Sequence, residues 1–130
     1  MRLLLDTHVA IWALVSPDLL TPRVAELIAD PANDVYVSAA SVWEIAIKHA
    51  LGRATGAPPF GGTEAVEYFR EAGYLKLPIV AEHAALVETL PPHHADPFDR
   101  LLVAQALHEP MRLVTGDPLV ARYSETIIRI

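Results

Sequence analysis

The chain has 130 residues, 52% hydrophobic and 20% charged, with 16 acidic and 10 basic side chains giving a formal net charge of −6. This fits one globular domain over 1–130 and excludes a disordered chain, and the negative balance argues against a protein that coats nucleic acid unless its acids hold cations. The apolar run Val9–Val15 is about a third of what a membrane span needs, and Asp6 and His8 interrupt the start that a signal peptide would require. With no cysteine there is no disulfide, zinc–thiolate site or thiol catalysis, which is consistent with a cytoplasmic protein.

In chain order, Arg2–Leu5 reads as a first strand, and a short helix begins near Val9 and stops at Ser16-Pro17. Thr21 followed by Pro22 is an N-cap and first helical residue, opening a helix to about Ala29. After a turn at Pro31 and Asn33, Val35–Val37 is a short buried strand, and Ser38 caps a helix that runs to Leu51 and stops at Gly52. The glycine- and proline-rich segment from Gly52 to Gly62 is expected to be a mobile loop. Thr63 caps a helix to about Ala72, with Gly73 at its C′ position. Tyr74–Leu77 is a third strand, and Ala81–Leu90 a helix closed by Pro91-Pro92. A helix from Asp96 to about Leu107, a strand Arg112–Thr115, a short helix Pro118–Tyr123 and a strand Thr126–Ile128 complete the chain. Strands alternating with helices specify an α/β fold with a mostly parallel sheet covered on both faces. In such sheets the ligand crevice lies beyond the carboxyl ends of the strands.

Carboxylates fall at that rim. Asp6 ends the first strand, Asp117 follows the strand that ends at Thr115, and Glu44 lies on the helix leaving the second strand. Asp96 and Asp99 open the helix that follows Pro91-Pro92. Each has a bland explanation. Asp6, Asp96 and Asp117 are good helix N-caps, and Asp99 in a first turn complements the macrodipole. Glu44 and Lys48 are an i,i+4 pair in the favourable order, and Ser41 with Glu44 has capping-box spacing. Glu44 and Asp99 are the least well explained by capping, so Asp99 ranks ahead of Asp96 as a ligand. The joint occurrence of these acids favours a divalent-metal site, because partly buried carboxylates are costly unless a cation holds them. Thr7, Ser41 and Thr115 are candidate supporting oxygens. Other chemistries lack their signals: there is no G-x-S-x-G elbow, P-loop or dinucleotide fingerprint, and His93-His94 reads as loop.

Four segments in register carry a resemblance: Arg2-Leu-Leu-Leu-Asp-Thr-His8, Val37-Ser-Ala-Ala-Ser-Val-Trp-Glu-Ile-Ala-Ile-Lys48, His94-Ala-Asp-Pro-Phe-Asp-Arg-Leu-Leu-Val-Ala-Gln-Ala106 and Leu113-Val-Thr-Gly-Asp117. Together they resemble PIN-domain ribonucleases, specifically the VapC-type toxins of type II toxin–antitoxin pairs. The resemblance implies a three-layer α/β/α sandwich with a five-stranded parallel sheet. It also implies Mg²⁺- or Mn²⁺-dependent cleavage of RNA, a homodimer and a small cognate antitoxin. On that reading Asp6, Glu44, Asp99 and Asp117 are catalytic and hold one or two ions with Asp96 nearby. Lys48, Arg53, Arg100 and Arg122 are candidates for the RNA phosphates. The alternatives are a catalytically silent PIN-like binding module and a receiver-type metal-binding signalling domain.

Overall fold

In the computed structural model, which describes residues 1–52 and 56–130, the β-rich runs form β1 (Arg2–Leu5), β2 (Asp34–Ser38), β3 (Leu75–Leu77), β4 (Arg112–Thr115) and β5 (Ile128–Arg129). Between them lie helices α1 (Thr7–Val15), α2 (Pro22–Ala29), α3 (Ala39–Ala50), α4 (Gly62–Glu71), α5 (Ala81–Leu86), α6 (Pro97–His108) and α7 (Pro118–Ala121). Every strand pairing is parallel, in the order β3-β2-β1-β4-β5, with Leu5 opposite Val37 on one side and Val114 on the other. The strands are apolar on both faces because each face is covered. Leu3 and Leu5 enter a core with Val9, Val24, Ile45 and Phe69, whereas Leu4 points the other way to Leu102, Val103 and Val120. The expected α/β/α sandwich with a five-stranded parallel sheet is therefore present. Among the described residues no helix is long and apolar enough to cross a membrane.

Several boundaries differ from the sequence reading for local reasons. Helix α1 starts at Thr7 rather than Val9, because Asp6 follows directly from β1 and accepts the Val9 amide as N-cap. A one-turn 3₁₀ helix, Pro17–Leu19, follows α1. Helix α5 ends at Leu86, and the chain tightens into a second 3₁₀ turn, Val87–Thr89, before the two prolines. Gly61, not Thr63, is the N-cap of α4, and Glu64 Oε1 accepts its amide at 3.1 Å. The next residue needs to be small: a Cβ on Gly62 would lie 2.8 Å from that of Ala46 on α3. At the last strand, the Ser124 hydroxyl accepts the Thr126 amide in a turn, so β5 starts at Ile128 instead of Thr126.

A buried polar chain fixes α3 against α6. Ser38 Oγ, at the start of α3, accepts the Ala40 amide and donates to Gln105 Oε1 on α6 at 2.5 Å. Gln105 Nε2 donates in turn to the Pro78 carbonyl at 3.3 Å, and both Ser38 and Gln105 are fully buried. Removing one member of such a chain leaves desolvated partners unpaired. Gln105→Met, which keeps the shape and deletes the amide, should cost about 1–3 kcal/mol in urea denaturation with the slope unchanged. An unshifted midpoint would show that the chain contributes nothing net.

Candidate metal centre

The carboxyl ends of β1 and β4 lie side by side, and the acids just beyond them are wired together. The Asp6 amide donates to the Val114 carbonyl at 3.0 Å, continuing the ladder one step past the strand. Asp6 is only 4% exposed. Its Oδ1 caps α1 through the Val9 amide at 2.8 Å, and its Oδ2 accepts the Thr115 hydroxyl at 2.5 Å. Thr115 Oγ1 also accepts the Asp117 amide at 3.0 Å, so one hydroxyl joins both junctions. Asp117 caps α7, with Oδ1 accepting the Leu119 amide at 2.8 Å.

Helix α6 brings Asp99 to the same place. Asp96 is its N-cap, Oδ1 accepting the amides of Phe98 and Asp99 at 2.8 and 3.1 Å. This is the capping role that explains Asp96 best, and Asp99, one turn in, faces the cleft. Asp6, Asp99 and Asp117 line that cleft together with His8, Trp12 and Gly116. His94, from the preceding loop, places Nε2 at 2.8 Å from Asp117 Oδ2 and 3.4 Å from Asp99 Oδ2. Its Nδ1 accepts the Asp96 amide at 3.0 Å.

Glu44 sits beside this group, 3% exposed, in the adjoining cleft that shares His8 and Trp12. The Thr7 hydroxyl donates to Glu44 Oε1 at 2.7 Å and lies 2.9 Å from the Ser41 hydroxyl. Lys48 donates to Glu44 Oε2 at 2.5 Å. Of the candidate oxygens read from the sequence, Thr7 is hydrogen-bonded to Glu44, Thr115 to Asp6, and Ser41 to Thr7.

The sequence candidates for phosphate contacts are dispersed. Lys48 is held by Glu44, whose hydrogen bond raises the lysine pKa. Arg100 is turned inward: its guanidinium donates to the carbonyls of Pro91, Val87, Leu90 and His94 and to the Tyr123 hydroxyl, so it clamps the loop before α6. Arg122 is exposed at the end of α7, and Arg53 lies outside the described residues. Sequence reading missed His94, because the contact that matters spans 23 residues to Asp117. A signal existed in retrospect: an imidazole two residues before an N-cap can reach back to its amide.

The electrostatics follow from crowding acids in partial burial. Desolvation pushes the Asp99 pKa up to about 7, reinforced by the charges of Asp96, Asp6 and Glu44 and only partly offset by His94. Asp6 is raised mainly by burial, against the bonds from Thr115 and Val9. Asp117 goes the other way: its slight burial is outweighed by hydrogen bonds from the Leu119 amide and His94, and its pKa falls.

A raised carboxyl pKa means that the folded state holds a proton which the unfolded chain has released. Between the unfolded value of 3.8 and about 7, Asp99 therefore makes folding progressively less favourable as pH rises. Asp117, with its pKa lowered, changes stability only below its unfolded value of 3.8. The metal-free protein should lose stability as pH rises from 3.8 to about 7, and Asp99→Asn should flatten that fall while stabilising the chain above it. Parallel stability profiles for the two proteins would rule out Asp99 as the source.

Comparison with known proteins places the chain in a family. The sequence profile of the PIN domain matches residues 3–125. Ribonuclease VapC22 from Mycobacterium tuberculosis (strain ATCC 25618 / H37Rv) is 33% identical over 116 residues, covering 88% of this chain and 85% of that protein. Among solved structures, VapBC2 from Rickettsia felis bound to a DNA fragment from its promoter has a similar fold, with TM-score 0.69 at 16% identity, covering 100% of this chain and 98% of that one. FitAcB from Neisseria gonorrhoeae is similar at TM-score 0.63 and 22% identity, covering 98% and 96%. The chain belongs to the PIN-domain family and, within it, to the VapC type.

Proposed function

We propose that this protein is a metal-dependent endoribonuclease, the toxin of a toxin–antitoxin pair. The observation that carries the reading is the convergence of Asp6, Asp99 and Asp117 on one cleft at the ends of adjacent strands, with Glu44 alongside. The donor set suits Mg²⁺ or Mn²⁺: it consists of hard carboxylate and hydroxyl oxygens without thiolates. Burial first, and then the charges of Asp96, Asp6 and Glu44, push Asp99 towards its neutral form, which supports a cleft rich in carboxylates that a cation would complement. Asp6, Asp99 and Asp117 would hold one or two divalent cations there, with Asp96 next to them, supplying positive charge to activate a water and to offset charge developing on a phosphodiester.

The chain's own residues do the positioning. Thr115 orients Asp6, Thr7 and Lys48 orient Glu44, and the Asp96 cap sets the first turn of α6. RNA as substrate is supported by the ribonuclease among the relatives, and a small antitoxin partner by the likeness to the VapBC2 and FitAcB assemblies. A homodimer and a cytoplasmic location complete the proposal.

Asp6→Asn provides the test. Oδ1 can still cap α1, but the amide nitrogen replaces the oxygen that accepts the Thr115 hydroxyl, and this loss offsets the gain from removing a buried carboxylate whose pKa is raised. Cleavage of RNA in Mg²⁺ or Mn²⁺ should fall to the level seen with EDTA while the protein stays folded with a cooperative thermal transition. Full activity of Asp6→Asn, or cutting by wild type that persists in EDTA, would refute the metal-dependent reading. A wild type that cuts nothing in either metal yet still binds an antitoxin would be the silent module instead.

A further inference from the structure

We propose that His94 is a positioning residue of this centre, holding Asp117 through its Nε2–H, and is not itself a metal ligand. The inference rests on reading Asp6, Asp99 and Asp117 as metal ligands. His94, Asp99 and Asp117 could be taken for a three-ligand group, since one donor atom from each lies within 4.8 Å of the others. The wiring of the ring argues otherwise. An amide N–H can only donate, so the Asp96 amide at 3.0 Å requires a lone pair on Nδ1. The neutral imidazole then carries its one proton on Nε2, the nitrogen 2.8 Å from Asp117 Oδ2. Nε2 has no lone pair left for a cation.

Ligation through Nε2 would move the proton to Nδ1, against the Asp96 amide, and would loosen the residue that caps α6. The ring is held for the donor role from both sides of its backbone. The His94 amide donates to the Tyr123 hydroxyl at 2.9 Å, and Arg100 donates to the His94 carbonyl at 3.4 Å. The same wiring occurs at His83, buried in the core: Nδ1 accepts the Val80 amide at 3.1 Å and Nε2 lies 2.5 Å from Glu109 Oε2. There too it marks a donor, so the second grouping, His83 with His108 and Glu109, is structural by the same argument.

At Asp117 the result is a carboxylate with one oxygen held by the Leu119 amide and the other by His94. Each oxygen keeps a second lone pair for a cation. His94 thereby ties the first turn of α6, which carries Asp99, to the β4–α7 junction, which carries Asp117. Outer partners of this kind set ligand orientation, and their loss typically weakens metal binding by about 10–100-fold.

Two measurements test the assignment. Long-range ¹⁵N–¹H correlation of the histidine rings in the wild-type chain should show His94 protonated on Nε2, both metal-free and with Mg²⁺ added. A switch to the Nδ1–H form with Mg²⁺ would make His94 a ligand and overturn the proposal. Calorimetric titration of Mn²⁺ into metal-free protein should give a Kd raised about 10–100-fold in His94→Ala. His94→Gln, whose side-chain amide can donate to Asp117, should recover most of that loss. Wild-type affinity in a folded His94→Ala would also overturn the proposal while leaving the metal centre intact; should that variant not fold, His94→Gln and the ring tautomer decide. A wild type that binds no Mn²⁺ removes the centre itself and this role with it.

Discussion

The arrangement turns on a single hydroxyl. Thr115 Oγ donates to Asp6 and accepts from the Asp117 amide, joining the ends of two central strands where each runs into a helix-capping carboxylate. Parallel pairing places these ends side by side whatever charge the next residues carry. Burial then makes the Asp6 carboxylate costly, and the charge of Glu44 adds to that cost. The hydroxyl and the helix amides answer that cost with hydrogen bonds. Asp99, whose own burial is reinforced by the charges of Asp96, Asp6 and Glu44, is pushed towards its neutral form.

Capping and the chemical role of the acids are two uses of one feature. A strand that runs straight into a helix needs an N-cap, and its carboxylate stands beyond the carboxyl end of the strand. In Asp6 and Asp117, Oδ1 serves the helix while Oδ2 is turned to the rest of the cluster, to Thr115 in one case and His94 in the other. The bland and functional explanations are therefore compatible. Asp96 differs because its Oδ1 accepts both helix amides. Glu44 differs in the opposite way: it caps nothing, and both oxygens are held by side chains.

Much of this was legible in the sequence because it depends on local rules. The strand–helix alternation, the caps Thr21 and Ser38, and the strand Arg112–Thr115 all follow from spacing and cap chemistry. The acids are recognisable because each breaks an apolar pattern. The features that stayed hidden depend on pairing across the fold. Glu64, three residues on, is a local sign that Gly61 caps α4, but the need for a small residue at Gly62 comes from Ala46 on another helix. Arg100 reads as a phosphate ligand beside two aspartates, yet the carbonyls it serves lie in the preceding turn. His94 reads as a loop residue until Asp117 arrives from 23 residues away.

The inward turn of Arg100 also bears on the order of events. The guanidinium keeps its charge but is fixed on backbone carbonyls and the Tyr123 hydroxyl, and Lys48 is paired with Glu44, so among the described residues the acids lining the cleft are Asp6, Asp99 and Asp117. On the proposed reading, a polyanion that approached the cleft before any cation would meet carboxylates, and bound cations would offset that repulsion. Loading would then precede encounter, and the association rate with RNA would track the free divalent-cation concentration rather than the ionic strength alone.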